Sequence, residues 1–264
     1  MKICTDTKHV TVPGGTIYTQ QWVPESIQCA IPIVLLHDSL GSVGLWRDFP
    51  EQLATHLSRT VIAYDRLGFG QSSAREQIPS KHFIVEEADI YFPVVKQALA
   101  IERFTLLGHS VGGAMAVSIA AQDTDCVAVI TESAQAFVEK ITREGIQKAQ
   151  KFFEQGGQMG RLEKWHAEKA SWVLNAWTQT WLSPEFLAWS LLPQLKKVRC
   201  PLLALHGDQD EYGSIAFPET ISQNTLGKAH MEIIQHCGHV PHKEQLPVVL
   251  NHIEEFLNKL QGHC

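Results

Sequence analysis

Eight short apolar runs punctuate this chain of 264 residues, and most are separated by stretches of helical periodicity. Ile31-Pro32-Ile33-Val34-Leu35-Leu36 is apolar without alternation, which suits a strand buried on both faces of a parallel sheet. Residues 60–64, 104–107, 127–131, 202–206 and 230–234 read as further strands. Residues 8–12 and 16–22 flank Pro13-Gly14-Gly15 and predict a hairpin. Trp46, Phe49, Leu53 and Leu57 recur at helical spacing, as do Ile84, Ala88, Tyr91, Val95 and Leu99. Pro93 falls inside this second helix, over about 82–99, and should kink or break it. A closing helix is expected over 246–260. Strands alternating with helices indicate an α/β protein whose parallel sheet is covered on both faces.

That alternation stops near Ser133 and resumes after Pro193. The segment between is helical, rich in Lys, Glu and Gln, and holds five of the seven tryptophans: Trp165, Trp172, Trp177, Trp181 and Trp189. Two units are therefore expected. Residues 1–133 and 196–264 make the core domain, and 134–195 a helical cap over the carboxyl edge of the sheet, where ligands of open α/β sheets bind.

Gly108-His109-Ser110-Val111-Gly112 reads G-x-S-x-G between a strand-like run and the small, apolar, helix-like stretch 113–121. A serine on so tight a strand-to-helix turn is held in a strained backbone with its hydroxyl raised above the sheet, and flanking glycines leave room for the turn. A serine hydroxyl needs a base within hydrogen-bond reach and a carboxylate to orient that base. Downstream, Gly207-Asp208-Gln209-Asp210-Glu211 follows one strand and His236-Cys237-Gly238-His239 follows the last. Asp208 and Glu211 compete with Asp210 for the acid, as does Glu132 at a strand end. His236, Cys237, His239 and His242 could suggest a metal site, but Gly238 and Pro241 break any helical spacing and no carboxylate accompanies them. His109 reads as a packing residue and His37 as structural.

These motifs, in this order, resemble the α/β-hydrolase superfamily over essentially the whole chain. The elbow matches Gly108 to Gly112, the acid motif G-x-x-D matches Gly207 to Asp210, the G-H near the end matches Gly238-His239, and D-x-x-G-x-G-x-S matches Asp65 to Ser72. The resemblance implies an eight-stranded, mostly parallel sheet with a helical cap inserted after strand 6, and a triad of Ser110, Asp210 and His239. It also implies an oxyanion hole from two backbone N–H groups, Val111 after the nucleophile and Ser39 in the loop after the 31–36 strand. The family usually carries His-Gly in that loop, where this chain has His37-Asp38-Ser39. Asp38 therefore sets a carboxylate close to where negative charge forms; it is either turned away and hydrogen-bonded or in contact with substrate. Aspartate, Arg66 and glycine in the 65–72 loop read as turn chemistry.

Composition bounds the partners. Hydrophobic residues make up 44% and charged residues 19%, with a net charge of −6, which argues against nucleic-acid binding. No apolar run is long enough for a membrane span, and the N-terminus from Met1 lacks a signal-peptide core, so a cytoplasmic protein is expected. Six scattered cysteines suit free thiols. In the cap, Trp177 and Trp181 offer an apolar wall for an acyl or aromatic group. Residues 134–195 carry seven Lys/Arg against six Asp/Glu, while the rest carries fifteen against twenty-two. Such an arrangement could dock an acidic acyl carrier protein, and it resembles the pimeloyl-[acyl-carrier-protein] methyl esterases, which are capped α/β-hydrolases; a solvated face explains it as well.

The expected activity is hydrolysis of a carboxylic ester through an acyl-enzyme on Ser110, with no metal or organic cofactor. Hydrolysis of carbon–carbon bonds in ring-fission products uses the same residues. A hydrolase-fold binding module is the non-enzymatic alternative, and Asp38 is the feature that leans toward it. Epoxide hydrolases and haloalkane dehalogenases need a carboxylate where Ser110 stands.

Overall fold

Each apolar run becomes a strand, and the eight strands pair into one sheet. The computed structural model describes residues 2–260; Met1, at the N-terminus read for a signal peptide, and Cys264, the last of the six cysteines, lie outside them. The strands are β1 (Ile3–Val12), β2 (Gly15–Pro24), β3 (Cys29–Leu36), β4 (Arg59–Tyr64), β5 (Phe104–His109), β6 (Cys126–Glu132), β7 (Leu202–Gly207) and β8 (Ala229–Ile234). Their spatial order is β1-β2-β4-β3-β5-β6-β7-β8. β1 and β2 form the expected hairpin, in register from Ile3–Pro24 to Val12–Gly15, and β2 runs antiparallel to β4. Every other pairing is parallel.

Side chains alternate across a strand, so each central strand feeds two cores. Val34 and Leu36 join Leu106, Val129 and Ala204 on one face. Ile33 and Leu35 join Leu107, Ile130 and Leu205 on the other. This double burial explains why residues 31–36 show no polar alternation.

The helices, in chain order, are α1 (Phe49–Leu57), α2 (Phe83–Glu86), α3 (Phe92–Ala98), α4 (Val111–Ala120), α5 (Lys140–Phe153), α6 (Gly160–His166), α7 (Ala170–Leu182), α8 (Leu192–Leu195), α9 (Ala216–Gln223), α10 (Pro241–Glu244) and α11 (Leu246–Asn258). α1 and α11 cover the second face through Leu53, Ala54, Ile253 and Phe256. α3, α4 and α9 cover the first through Val95, Val117 and Phe217. α5 to α8 form the helical insertion between β6 and β7. Its two ends meet where Phe137 bridges Ser190 and the Leu191 N–H donates to Ala136 O at 2.7 Å.

Three expectations change in detail. The single helix over 82–99 is α2 and α3 joined by a widened π turn, Glu87–Tyr91, which carries the chain past Pro93 at the start of α3. Proline lacks the N–H that a continuous α-helix would use there. Trp46 stands in a separate 3₁₀ turn, Val43–Trp46, capped by Ser42, because Pro50 starts α1 afresh at its first turn. Trp46 still stacks on Phe49 at 5.7 Å. Among the cysteines, Cys4, Cys126, Cys200 and Cys237 are free, whereas Cys29 is disulfide-bonded, contrary to the expectation of free thiols. Scattered spacing cannot report which sulfurs the fold brings together. No described helix is long and apolar enough to cross a membrane.

The elbow glycines are fixed by close approach. A Cβ on Gly112 would stand 2.1 Å from Leu36 O, and one on Gly108 2.2 Å from Gly112 O. Gly112→Ala should therefore cost about 3 kcal/mol or more, because backbone must move to admit the methyl. Gly156→Ala, whose Cβ meets nothing within 4 Å, is the near-neutral control. Chemical denaturation midpoints check both, and equal midpoints would refute the packing argument.

Candidate active site

Parallel strands send their carboxyl ends to one edge of the sheet, and five strand ends supply the site. Ser110 follows β5 with φ 54 and ψ −126, a conformation L-residues rarely adopt, which costs on the order of 1–3 kcal/mol. Its N–H donates to Glu132 O at 2.8 Å and its C=O accepts from the Gly113 N–H at 2.9 Å, so the turn is clamped from both sides. The hydroxyl is thereby presented to His239, whose Nε2 lies 3.0 Å from Ser110 Oγ. His239 Nδ1 lies 2.9 and 2.8 Å from the two Asp210 oxygens. Ser110 thus forms one hydrogen-bonded chain with two side chains that lie 100 and 129 residues further along the sequence. Burial alone would raise the Asp210 carboxyl. The His239 ring, His206 and the Tyr212 N–H outweigh that and hold it below its ordinary value, so it stays an acceptor.

The competing acids have other partners. Glu132 receives the His242 backbone N–H and Nδ1–H, both at 2.6 Å. Burial opposes its charge, but those contacts keep it ionised, while burial keeps His242 neutral. Asp208 accepts the Cys237 N–H at 3.1 Å, and Glu211 lines the cavity without a bond to His239. His239 and His242 face different carboxylates, Asp210 and Glu132, so these two histidines do not belong to one ligand set.

Ser39 lines the cavity over Ser110 and Val111 opens α4 directly after it; among the described residues neither backbone N–H has a hydrogen-bond partner. Asp38 Oδ1 accepts the Leu40 N–H at 2.8 Å, closing the loop on itself. Its Oδ2 faces His109 Nδ1 at 3.5 Å. Burial would raise this carboxyl, yet His109 and His37 drive it far below its usual range. Asp38 is thus hydrogen-bonded without being turned away, since it also lines the cavity. Arg66 Nη2 donates to Asp38 O at 2.7 Å and its backbone N–H donates to His37 Nε2 at 3.1 Å. Asp65 accepts the N–H groups of Val43 at 2.6 Å and Gln71 at 2.7 Å, which is the turn chemistry expected of that loop.

A cavity of about 400 Å³ opens over Ser110. Ile146, Leu162, Trp165, Trp177 and Trp181 from the insertion form its apolar wall. Trp172 and Trp189 instead pack, against Phe69 and Phe186. The insertion is tied to the strand-end loops: His166 Nε2 donates to Leu40 O at 2.9 Å, Lys169 Nζ to Gly70 O at 2.7 Å, and Thr142 Oγ1 to Tyr212 O at 2.6 Å.

Two residues at the site escaped the sequence reading. Gln135 Nε2 donates to Ser110 Oγ at 3.1 Å. The Tyr212 ring lies 4.8 Å from the His239 ring, and burial beside Glu211, Asp210 and Asp38 pushes its hydroxyl up to about 12. Both follow strand ends, and that position was the signal available.

Residues 33–250 match the model of the alpha/beta hydrolase family, and the chain belongs to that family. It is 37% identical over 106 residues to a 1-acylglycerol-3-phosphate O-acyltransferase of Mus musculus, covering 40% of this chain and 29% of that protein. It is 31% identical over 121 residues to a (lyso)-N-acylphosphatidylethanolamine lipase of Bos taurus, covering 46% and 34%. The matches thus span about a third of those relatives' length or less. Among solved structures, the 2-hydroxy-6-oxo-6-phenylhexa-2,4-dienoate hydrolase of Rhodococcus superposes with a TM-score of 0.78 at 16% identity, over 97% of this chain and 100% of that one. That likeness is one of fold.

Burial pushes His37, His166, His206 and His242 below the ordinary histidine value of 6.5. The unfolded chain therefore binds more protons than the folded one below that value. Stability should fall as pH drops from about 6.5 towards 5, measured as denaturation midpoints. A midpoint that stays level across that window would contradict these assignments.

Proposed function

We propose that this protein is a serine hydrolase that cleaves a carboxylic ester through an acyl-enzyme. The observation that carries the reading is the unbroken Ser110–His239–Asp210 hydrogen-bond chain at the floor of an apolar cavity. Ser110 Oγ attacks the ester carbonyl while His239 Nε2 takes its proton, and Asp210 orients the ring and stabilises its charge. The carbonyl oxygen becomes an oxyanion facing the free N–H groups of Ser39 and Val111. Collapse expels the alcohol, which leaves with the proton from His239. A water molecule, deprotonated by His239, then releases the acid and restores Ser110.

Residues 134–195 act as a cap, with Trp177 and Trp181 receiving the acyl portion. An acyl group carried on an acidic carrier protein is the finer form of this proposal. It is supported by exposed Arg161 and Lys243 beside the cavity and by the basic residues of α5 and α6.

Short p-nitrophenyl esters and a fluorophosphonate probe test the reading. Ser110→Ala should abolish labelling and lower ester turnover about 10³-fold or more. Undiminished turnover in that variant would refute the nucleophile. A vinylogous diketone acid is the comparison substrate, and faster cleavage of it would replace ester hydrolysis by carbon–carbon hydrolysis.

A further inference from the structure

The residue beside the nucleophile does more than pack. We propose that His109 is a positioning residue: a buried imidazolium that neutralises Asp38 and ties the oxyanion loop to the loop carrying His239. The proposal rests on the serine-hydrolase reading of the site.

His109 is 2% exposed, at the end of β5. Its Nε2 lies 2.8 Å from the carbonyl oxygen of His239. Its Nδ1 lies 3.5 Å from Asp38 Oδ2. The neutral ring can donate its one N–H to the His239 carbonyl, and the cation in addition sets a positive charge against the Asp38 carboxylate. Burial opposes that charge, but Asp38, Glu132 and the His239 carbonyl outweigh it and raise the ring above its ordinary value. The other groups around it come from every side. Glu132 closes β6 and is held ionised by His242. The rings of His239 and His242 stand 5.1 Å away, and Trp46 edges it at 6.3 Å. His37 and Arg66 hold Asp38 from behind.

This arrangement answers the difficulty Asp38 poses. A bare carboxylate one residue from Ser39 would repel the oxyanion. Its charge is matched by His109, and its Oδ1 is spent shaping the turn through Leu40 N–H. The consequence has a sign. As pH rises, His109 loses its proton, Asp38 is left uncompensated and the transition state is opposed, so acylation slows on the alkaline side.

The test measures the second-order rate of fluorophosphonate labelling at Ser110, and kcat/KM on a p-nitrophenyl ester, from about pH 6 to about pH 10. The wild type, His109→Gln, Asp38→Asn and the double variant are compared. Glutamine keeps a donor for the His239 carbonyl without the charge, and asparagine keeps the acceptor for Leu40. The wild type should show an alkaline fall that both single variants lose. His109→Gln should be about tenfold slower or more at neutral pH, and the double variant should recover to within about threefold of Asp38→Asn. An alkaline fall that persists in His109→Gln, or a double variant as slow as His109→Gln, overturns the proposal. Should His109→Gln fail to fold, persistence of the fall in Asp38→Asn overturns it equally. A wild-type Ser110 that never labels defeats the hydrolase reading itself, and this proposal with it.

Discussion

The strained turn at Ser110 is the constraint on which the rest of the site depends. A residue with φ near +54° must be held there by its surroundings. Here Glu132 O and Gly113 N clamp its backbone, and two glycines let β5, α4 and the end of β3 approach to distances that no side chain would permit. The strain sets the hydroxyl above the sheet, at the height that the loops after β7 and β8 also reach. Nothing but the parallel sheet makes those loops neighbours.

Around that point the structure sets each carboxylate against a histidine. Asp210 faces His239, Glu132 faces His242, and Asp38 faces His109. Leaving Asp210 or Glu132 buried and alone would be costly, about 3–5 kcal/mol where a partner is removed from a fully buried pair, whereas Asp38 keeps part of its side chain in solvent. Only the first pair reaches Ser110. The second braces the end of β6 against α10. The third sits between the loop after β3 and the loop carrying His239, so the supporting electrostatics and the proposed chemistry share one block of side chains.

Much of this was legible in the sequence because it depends on local pattern. Residues 31–36 and 104–107 announce buried strands by apolar runs, and Gly108, Ser110 and Gly112 announce the turn because only glycine tolerates the approach. Position just past strand ends left Asp208, Asp210, Glu211 and Glu132 as candidate acids, and it was the resemblance to the α/β-hydrolases that singled out Asp210 and His239. What was not legible depends on distant neighbours. Pro93 marked an irregularity, but proline alone does not say whether the helix breaks or widens into a π turn, as it does over Glu87–Tyr91. Trp46 had the right spacing for α1, but Pro50 starts that helix afresh and leaves Trp46 in the turn capped by Ser42. Gln135 has no motif, since its amide matters only because the start of the insertion folds back over Ser110. His109 read as a packing residue because neither of its acceptors, Asp38 and the His239 carbonyl, is close in sequence.

The most direct test of the central claim is a crystal structure of the protein after reaction with a fluorophosphonate. The account predicts a bond from phosphorus to Ser110 Oγ. It also predicts a phosphoryl oxygen within about 2.7–3.1 Å of both the Ser39 and Val111 nitrogens, with His239 still on Asp210. Phosphorus on any other residue, or a phosphoryl oxygen turned away from those two N–H groups, would contradict it.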